Sequence, residues 1–257
     1  MQRIDSQDNA KYKGWCKLLT RKYREREGKY LLEGAGRIEE ALAQGIAIEA
    51  VLTRRGGAEG PWEVPQFDLA EALFDRLSQT EHGREQIAVA TMTPWSLETL
   101  LSRPGPIVAL DQLQDPGNLG TIIRSADGLG AAGILLLKGT ADPYGPKVVR
   151  AAAGSLMRTP VVWIEGPQAL LALCRETGRP LVATCLEHAR APWETPLSDG
   201  PILVIGNEGA GVSPLLIEQA DRRVAIPMTG AIDSLNAGVA ASILLYSAMA
   251  QQAGSPQ

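Results

Sequence analysis

Apolar positions along the chain fall into short runs broken by polar, glycine or proline clusters, and the runs alternate between two spacings. Leu31-Leu32 leads through Gly34 into Ile38, Ala41 and Leu42, a spacing of three and four that predicts an amphipathic helix behind a short strand. A strand over 48–52 follows, then a polar loop holding Gly56, Gly57 and Gly60. A short helix over 69–77 and a strand over 86–91 complete the pattern of a small α/β domain of about 90 residues. Pro94 and the run Ser102-Arg103-Pro104-Gly105-Pro106, with an apolar helical segment at 95–101 between them, mark a boundary placed at 103/104.

Beyond it the pattern predicts strand 107–110, helix 119–128, strand 134–137, helix 146–153, strand 160–163, helix 167–177 and strand 181–184. Strand 202–205, helix 214–219, strand 223–226 and a long helix over 235–251 finish the chain, with a frayed tail after Gly254. Short apolar strands alternating with helices predict a parallel sheet covered on both faces. In such sheets ligands bind beyond the carboxyl ends of the strands, so the loops after strands are where chemistry is expected. No internal repeat or low-complexity segment interrupts this reading.

Composition narrows the possibilities. The 257 residues are 45% hydrophobic and 21% charged, ordinary for a globular protein, and no apolar run approaches the ~20 residues of a membrane span. The polar, acid-bearing N-terminus lacks the features of a secretory or transit peptide, which places the protein in the cytoplasm. Cys16, Cys174 and Cys185 are odd in number and have no paired spacing, which argues against a disulfide framework or structural zinc. With only His82 and His188 besides, no metal site is expected.

The net charge of -4 conceals a basic segment. Lys11, Lys13, Lys17, Arg21, Lys22, Arg24, Arg26 and Lys29 face only Glu25 and Glu27, and Tyr12, Trp15, Tyr23 and Tyr30 interleave with them. Such a mixture suits phosphate contact with base stacking, and it equally suits a solvated basic helix face whose aromatics turn inward. The segment alone does not decide between them.

Among motifs, Gly128-Leu129-Gly130-Ala131-Ala132-Gly133 matches the dinucleotide-binding spacing in the wrong context. Its glycines end a helix and lead into a strand, where the fingerprint needs the reverse, so they read as a helix cap and turn. No nucleophile elbow or phosphate-binding P-loop occurs. Three loops after strands remain. Asp115-Pro116-Gly117-Asn118 is a strong turn signal, with Arg124 nearly two turns into the helix behind it; taken alone, Asn118 reads as a cap and Arg124 as a surface ion-pair partner. Gly206-Asn207-Glu208-Gly209-Ala210-Gly211 offers backbone amides to a ligand, with Glu208 out of place over a phosphate. The third loop runs from Ile226-Pro227-Met228 to Ser234-Leu235-Asn236, where Ser234 and Asn236 alone read as helix caps.

In order and separation, Asp-Pro-Gly-Asn-x-Gly-x-x-x-Arg, Ile-Gly-Asn-Glu-Gly-x-Gly and Ile-Pro-Met-x-Gly-x-x-x-Ser-Leu-Asn resemble the three signature motifs of the SpoU/TrmH family of SPOUT RNA methyltransferases. The resemblance spans 107–250 and includes the run from Val148 to Val161. The N-terminal stretches Lys29-Tyr30-Leu31-Leu32-Glu33-Gly34 and Leu73-Phe74-Asp75-Arg76-Leu77-Ser78 resemble, more loosely, the L30e-like substrate-binding domain of some members. This implies an L30e-like domain over 1–103 and a parallel-sheet catalytic domain over 104–257 threaded into a deep trefoil knot.

The resemblance further implies S-adenosylmethionine as cofactor, held by Gly206, Asn207, Gly209, Ile226, Met228, Ser234, Leu235 and Asn236, with Thr184 and Leu186 beside them. Arg124 matches the family's catalytic arginine, with Asn118, Glu208, Ser234 and Asn236 ordering the active site. The implied reaction is methylation of a ribose 2'-hydroxyl of structured RNA, with large-subunit rRNA favoured over tRNA because of the N-terminal domain. The basic segment then becomes an RNA guide, joined by Arg150 and Arg158, and the long C-terminal helix becomes a homodimer surface. The alternatives are a tRNA methyltransferase, a non-catalytic assembly factor on the same fold, and a nicotinamide oxidoreductase, which the glycine context disfavours.

Overall fold

The alternation resolves into two sheets in the computed structural model, which describes residues 1–78, 85–230 and 234–254. In chain order the first elements are β1 (Gln2–Ile4), α1 (Ala10–Lys17), α2 (Arg21–Glu27), β2 (Lys29–Glu33), α3 (Ala35–Ala43), β3 (Ile48–Arg54), β4 (Gln66–Leu69), α4 (Glu71–Leu77) and β5 (Gln86–Thr91). Next come α5 (Leu97–Leu101), β6 (Ile107–Leu110), α6 (Pro116–Gly128), β7 (Gly133–Leu137), α7 (Pro146–Ala151), a 3-10 turn at Ser155–Met157, β8 (Val161–Ile164) and α8 (Pro167–Thr177). The rest are β9 (Leu181–Thr184), β10 (Ile202–Ile205), α9 (Pro214–Glu218), β11 (Arg222–Val224) and α10 (Ala237–Gly254). His82 and the tail after Gly254 lie outside the described residues.

The chain packs as two units, Met1–Pro94 with Asp142–Met157, and Trp95–Ala141 with Arg158–Gln257. In the first, a mixed sheet has the order β1-β4-β3-β5-β2, with β5 antiparallel to both its neighbours. Tyr12, Trp15 and Leu18 cover one face together with Phe67, Leu69, Phe74, Ile87 and Val89. Trp15 meets Phe67 edge-on with ring centroids 5.1 Å apart; of the aromatics in the basic segment Tyr12, Trp15 and Tyr30 turn inward, while Tyr23 stays half-exposed. The helix expected from Leu69 begins instead at Glu71, because Leu69 closes β4, which pairs in parallel with β1 and β3. The Asp142–Met157 segment is tied into this unit by Arg24 on Asp142, by the tilted Tyr30–Tyr144 ring pair (centroids 5.0 Å) and by α7 packed on β2.

In the second unit all six strands are parallel, in the order β11-β9-β10-β6-β7-β8. Its inner strands β9, β10, β6 and β7 are almost wholly buried, as expected of a parallel sheet covered on both faces, while the edge strands β8 and β11 are only partly so. Leu97, Leu100 and Leu101 of α5 pack into this core, so α5 groups with the second unit although it precedes the 103/104 boundary drawn from the pattern. Gly128 ends α6, Gly130 turns at φ +74° and Gly133 opens β7, an arrangement of cap and turn. From β6 the chain steps outward through β7 to β8, then returns to build β9, β10 and β11 on the other side. The order therefore reverses between β6 and β10, and the loops following these two strands face a shared crevice. On one face α6 and α10 lie together, joined by Ser125 Oγ and Ser242 Oγ at 2.7 Å. No described helix is long and apolar enough to cross a membrane, and no metal-ligating cluster occurs among the described residues.

Candidate active site

Where the strand order reverses, the loop after β6 is laced to the loop after β10. Asp115 caps α6: its Oδ1 accepts the Asn118 N–H at 2.7 Å. Asn118 is thereby not the cap but sits one turn inside, 6% exposed, with its amide committed elsewhere. Its Nδ2 donates to Glu208 Oε1 at 3.0 Å and its Oδ1 accepts from Asn236 Nδ2 at 2.6 Å. Asn236 in turn caps α10, its Oδ1 accepting the Gly238 and Val239 N–H groups at 2.9 and 3.2 Å. Asn236 is thus both a cap and a link to Asn118, and three distant segments converge on one buried amide.

Glu208 answers the question its position raised. Its carboxylate accepts the Asp115 N–H at 3.0 Å and the Gln114 N–H at 3.2 Å, so it clamps the first loop from the second. Partial burial opposes its ionisation, but the hydrogen bonds from Asn118 and the two amides outweigh this and hold its carboxyl below the ordinary value. A depressed folded pKa contributes stability above the unfolded value of about 4.3 and loses it as pH falls through the folded value. Melting temperatures of the protein and of Glu208→Gln are therefore expected to differ at neutral pH and to converge only once the pH has fallen below the unfolded carboxylate value and through the lower folded one. A gap that persisted into acid would contradict the clamp.

The Gly206–Gly211 turn has equally definite causes. A Cβ on Gly206 would overlap the Gly211 carbonyl carbon and the Val212 nitrogen, so only glycine fits. Gly211 turns at φ +70° and exchanges backbone hydrogen bonds with Asn207 at 2.9 and 3.0 Å. Asn207 Oδ1 accepts the Gly209 and Ala210 amides, both at 2.9 Å, while its Nδ2 donates to Gln112 O at 2.9 Å. Asp111, 1% exposed, accepts the Ser213 N–H at 2.7 Å and closes the turn.

These loops enclose a cavity of about 680 Å³, within the range of small-molecule sites. Thr184 and Leu186 line it after β9, Gly206, Asn207, Glu208 and Gly209 after β10, and Ile226, Met228, Ser234, Leu235 and Asn236 after β11, with Asn118 from α6. Residues 231–233 of the third loop lie outside the described residues. Among the described lining residues Glu208 carries the only charge, and no lysine, arginine or histidine is present. Such a cavity repels a pyrophosphate and favours a ligand bearing positive charge beside an apolar body.

Arg124 stands apart. It is exposed on α6, does not line the cavity, and no hydrogen bond or ion pair of it is found among the described residues. It neighbours Ser125, which bonds α10.

The basic segment divides. Lys11, Lys13, Lys17, Arg21, Lys22 and Arg26 are exposed and Lys29 and Arg150 half-buried. Arg24 is the exception to the expected RNA-facing set: at 4% exposed it donates to Leu18 O at 2.7 Å and Asp142 Oδ2 at 3.1 Å, bracing its own unit. Arg158 is likewise engaged, with Asp127 at 2.6 Å. Removing one member of a buried pair strands the other, so Arg24→Ala is expected to cost about 3–5 kcal/mol in denaturant unfolding. A loss under about 1 kcal/mol would mean that Asp142 finds water instead.

Comparison with known proteins follows the same division. Residues 105–246 match the SpoU rRNA Methylase family, and residues 9–88 match the MRM3-like substrate binding domain. The chain is 36% identical over 249 residues to the 23S rRNA (guanosine(2553)-2'-O)-methyltransferase RlmP of Bacillus subtilis, covering 96% of this chain and 98% of that one. It is 33% identical over 267 residues to the 23S rRNA (uridine(2479)-2'-O)-methyltransferase of Streptomyces viridochromogenes, covering 98% and 93%. The crystal structure of the SpoU methyltransferase AviRb from Streptomyces viridochromogenes in complex with the cofactor AdoMet superposes with a TM-score of 0.86 at 32% identity, over 96% of this chain and all of that one.

Proposed function

Since the chain belongs to the SpoU rRNA Methylase family, we propose that it methylates a ribose 2'-hydroxyl of large-subunit ribosomal RNA with S-adenosylmethionine held in the cavity beyond β9, β10 and β11. The observation that carries this is the lining itself. Among the described lining residues Glu208 is the single charged group, which suits a sulfonium and not a phosphate-bearing cofactor. Leu186, Ile226, Met228 and Leu235 supply apolar walls, and the glycine-rich turn supplies backbone groups. When bound, S-adenosylmethionine supplies a methyl group on a positively charged sulfur.

The protein's own part is positioning and charge. Asn118, Glu208 and Asn236 hold the loops in register. Arg124 remains protonated, because a guanidinium is effectively never deprotonated in proteins. Its role is to hold an RNA phosphate and to stabilise negative charge on the 2' oxygen, not to accept the proton. Because Arg124 does not line the cavity of its own chain, a second copy supplies it. The dimer forms across α6 and α10, where Val239, Tyr246 and Met249 form an exposed apolar stripe on α10. By its family the last loop and α10 are read as closing a trefoil knot, the N-terminal domain as the part that holds the RNA, and the protein as cytoplasmic.

The test is methyl transfer from radiolabelled S-adenosylmethionine to unmodified large-subunit rRNA and to unmodified tRNA. Label in rRNA alone is expected. Label confined to tRNA would overturn the substrate, and none in either, with the cofactor bound, would overturn the activity.

A further inference from the structure

Gln112 holds a backbone conformation that its residue type rarely adopts. Its φ is +59°, in the left-handed region, where glycine serves at Gly130 and Gly211 and any side chain is strained. The cause is local. Asp111 before it and Leu113 after it are 1% and 0% exposed, so the chain turns both inward and leaves Gln112 alone outside. Glycine would make that turn with less strain, yet a long carboxamide stands there.

The fold accommodates the side chain as well as the turn. Gln112 lies along Gly139 in the loop after β7: a Cβ on Gly139 would come within 3.1 Å of Gln112 Cγ and 3.6 Å of its Oε1, so the glycine leaves the room that this side chain occupies. Just beyond the contact that loop is fastened to its neighbour, Thr140 Oγ1 donating to Leu110 O at 2.9 Å and the Ala141 N–H to Leu113 O at 2.8 Å. The stem of Gln112 is thereby held, while its exposed amide forms no hydrogen bond among the described residues. Gln112 follows β6, at the carboxyl end where the strand order reverses, and its carbonyl accepts from Asn207 Nδ2 at 2.9 Å. Asn207 lines the cofactor cavity and Gln112 does not. The amide therefore stands beside the cavity, on the ligand side of the sheet, with the exposed Lys138 next to Gly139.

A carboxamide offers a donor and an acceptor side by side, the complement of the amino group and ring nitrogen of adenine. We infer that Gln112 is a specificity residue of methyl transfer: its amide reads an unpaired adenine next to the methylated nucleotide, and Lys138 meets a phosphate of the same stretch. The turn alone has no use for this side chain, and strain retained beside a reaction site points to a task for the group that bears it.

The inference rests on the rRNA-methylation reading, and its test separates the two. Unmodified large-subunit rRNA fragments spanning the methylated nucleotide, with each of the four bases at the positions on either side of it, are offered to the unaltered protein, Gln112→Gly and Gln112→Glu. The unaltered protein is expected to favour adenine at one of these positions by about tenfold in kcat/KM, the scale of a two-point contact between a side chain and a base. Gln112→Gly should reduce that preference to within about twofold. It should melt no lower than the unaltered protein, since glycine suits the turn, and bind S-adenosylmethionine equally well. Gln112→Glu, whose carboxylate only accepts, should move the preference towards cytosine. Indifference of the unaltered protein to the flanking bases, or a glycine variant that keeps the adenine preference, would overturn the assignment, while methyl transfer by the unaltered protein stands as the separate measure of the enzyme reading. A loss equal on all four bases would place the effect in the carbonyl contact with Asn207 and overturn it too.

Discussion

Replacing Arg124 by alanine is expected to lower methyl transfer by roughly 10²–10³-fold, the scale on which a preorganised charge at a reacting oxygen acts. Stability should hardly move, because the side chain is exposed on α6. Cofactor affinity should hardly move either, because Arg124 does not line the cavity of its own chain and its proposed contacts are to the RNA phosphate and the 2' oxygen. Arg124→Lys keeps the charge and loses the planar fork, so it should recover only part of the rate. Near-full turnover by the lysine variant would show that two-pronged contact is unnecessary, and unchanged turnover by the alanine variant would remove Arg124 from the mechanism.

The second large effect is expected from Gly206→Val. The added carbons have to displace the backbone of Gly211 and Val212, which Asn207 and Asp111 hold in place. Overpacking of this kind costs about 1–3 kcal/mol in stability. The greater loss falls on the cavity, whose wall is this turn, so calorimetric affinity for S-adenosylmethionine should drop by at least about 100-fold, the equivalent of roughly 2.7 kcal/mol. Cofactor binding within tenfold of the unaltered protein would mean that the turn re-forms around the valine. The two variants also test each other. Mixed Arg124→Ala and Gly206→Val subunits should regain activity that neither has alone, since one then contributes an intact cavity and the other an intact arginine. Two inactive proteins that stay inactive on mixing and reassociation would contradict the shared site.

Much of this was readable from the sequence because it is local. Apart from β11, which is Arg-Arg-Val against the 223–226 of the pattern, the parallel strands are largely apolar runs, and β9, β10 and α8 lie where the pattern puts them. The loop glycines and turn residues that line the cavity are sequence-near, and their motif order points to the site. What escaped depends on partners far along the chain. β1 is three residues with one buried, and β4 alternates over only four residues, so neither is long enough to read as a strand until they pair across more than sixty residues. Arg24 looks like its exposed neighbours because its acceptor, Asp142, is 118 residues away. Asn118 passes for a cap because the bonds that give it a different task come from Glu208 and Asn236. Asp111 and Gln112, which fasten the second loop through a buried carboxylate and a backbone carbonyl, carry no motif signal at all.

The first unit is discontinuous: the chain leaves it at Pro94 and returns for Asp142–Met157 before ending elsewhere. Its gene therefore cannot be cut into two cassettes. A fragment starting at Trp95 would carry Val148, Val149, Leu156 and Met157, all buried in the whole protein, without the β2 surface that α7 packs on, and would present them as a sticky insert. A fragment ending at Pro94 would leave Arg24 buried with no carboxylate opposite. Swapping the first unit between relatives, in the laboratory or over evolutionary time, thus requires exchanging two separated stretches of coding sequence together.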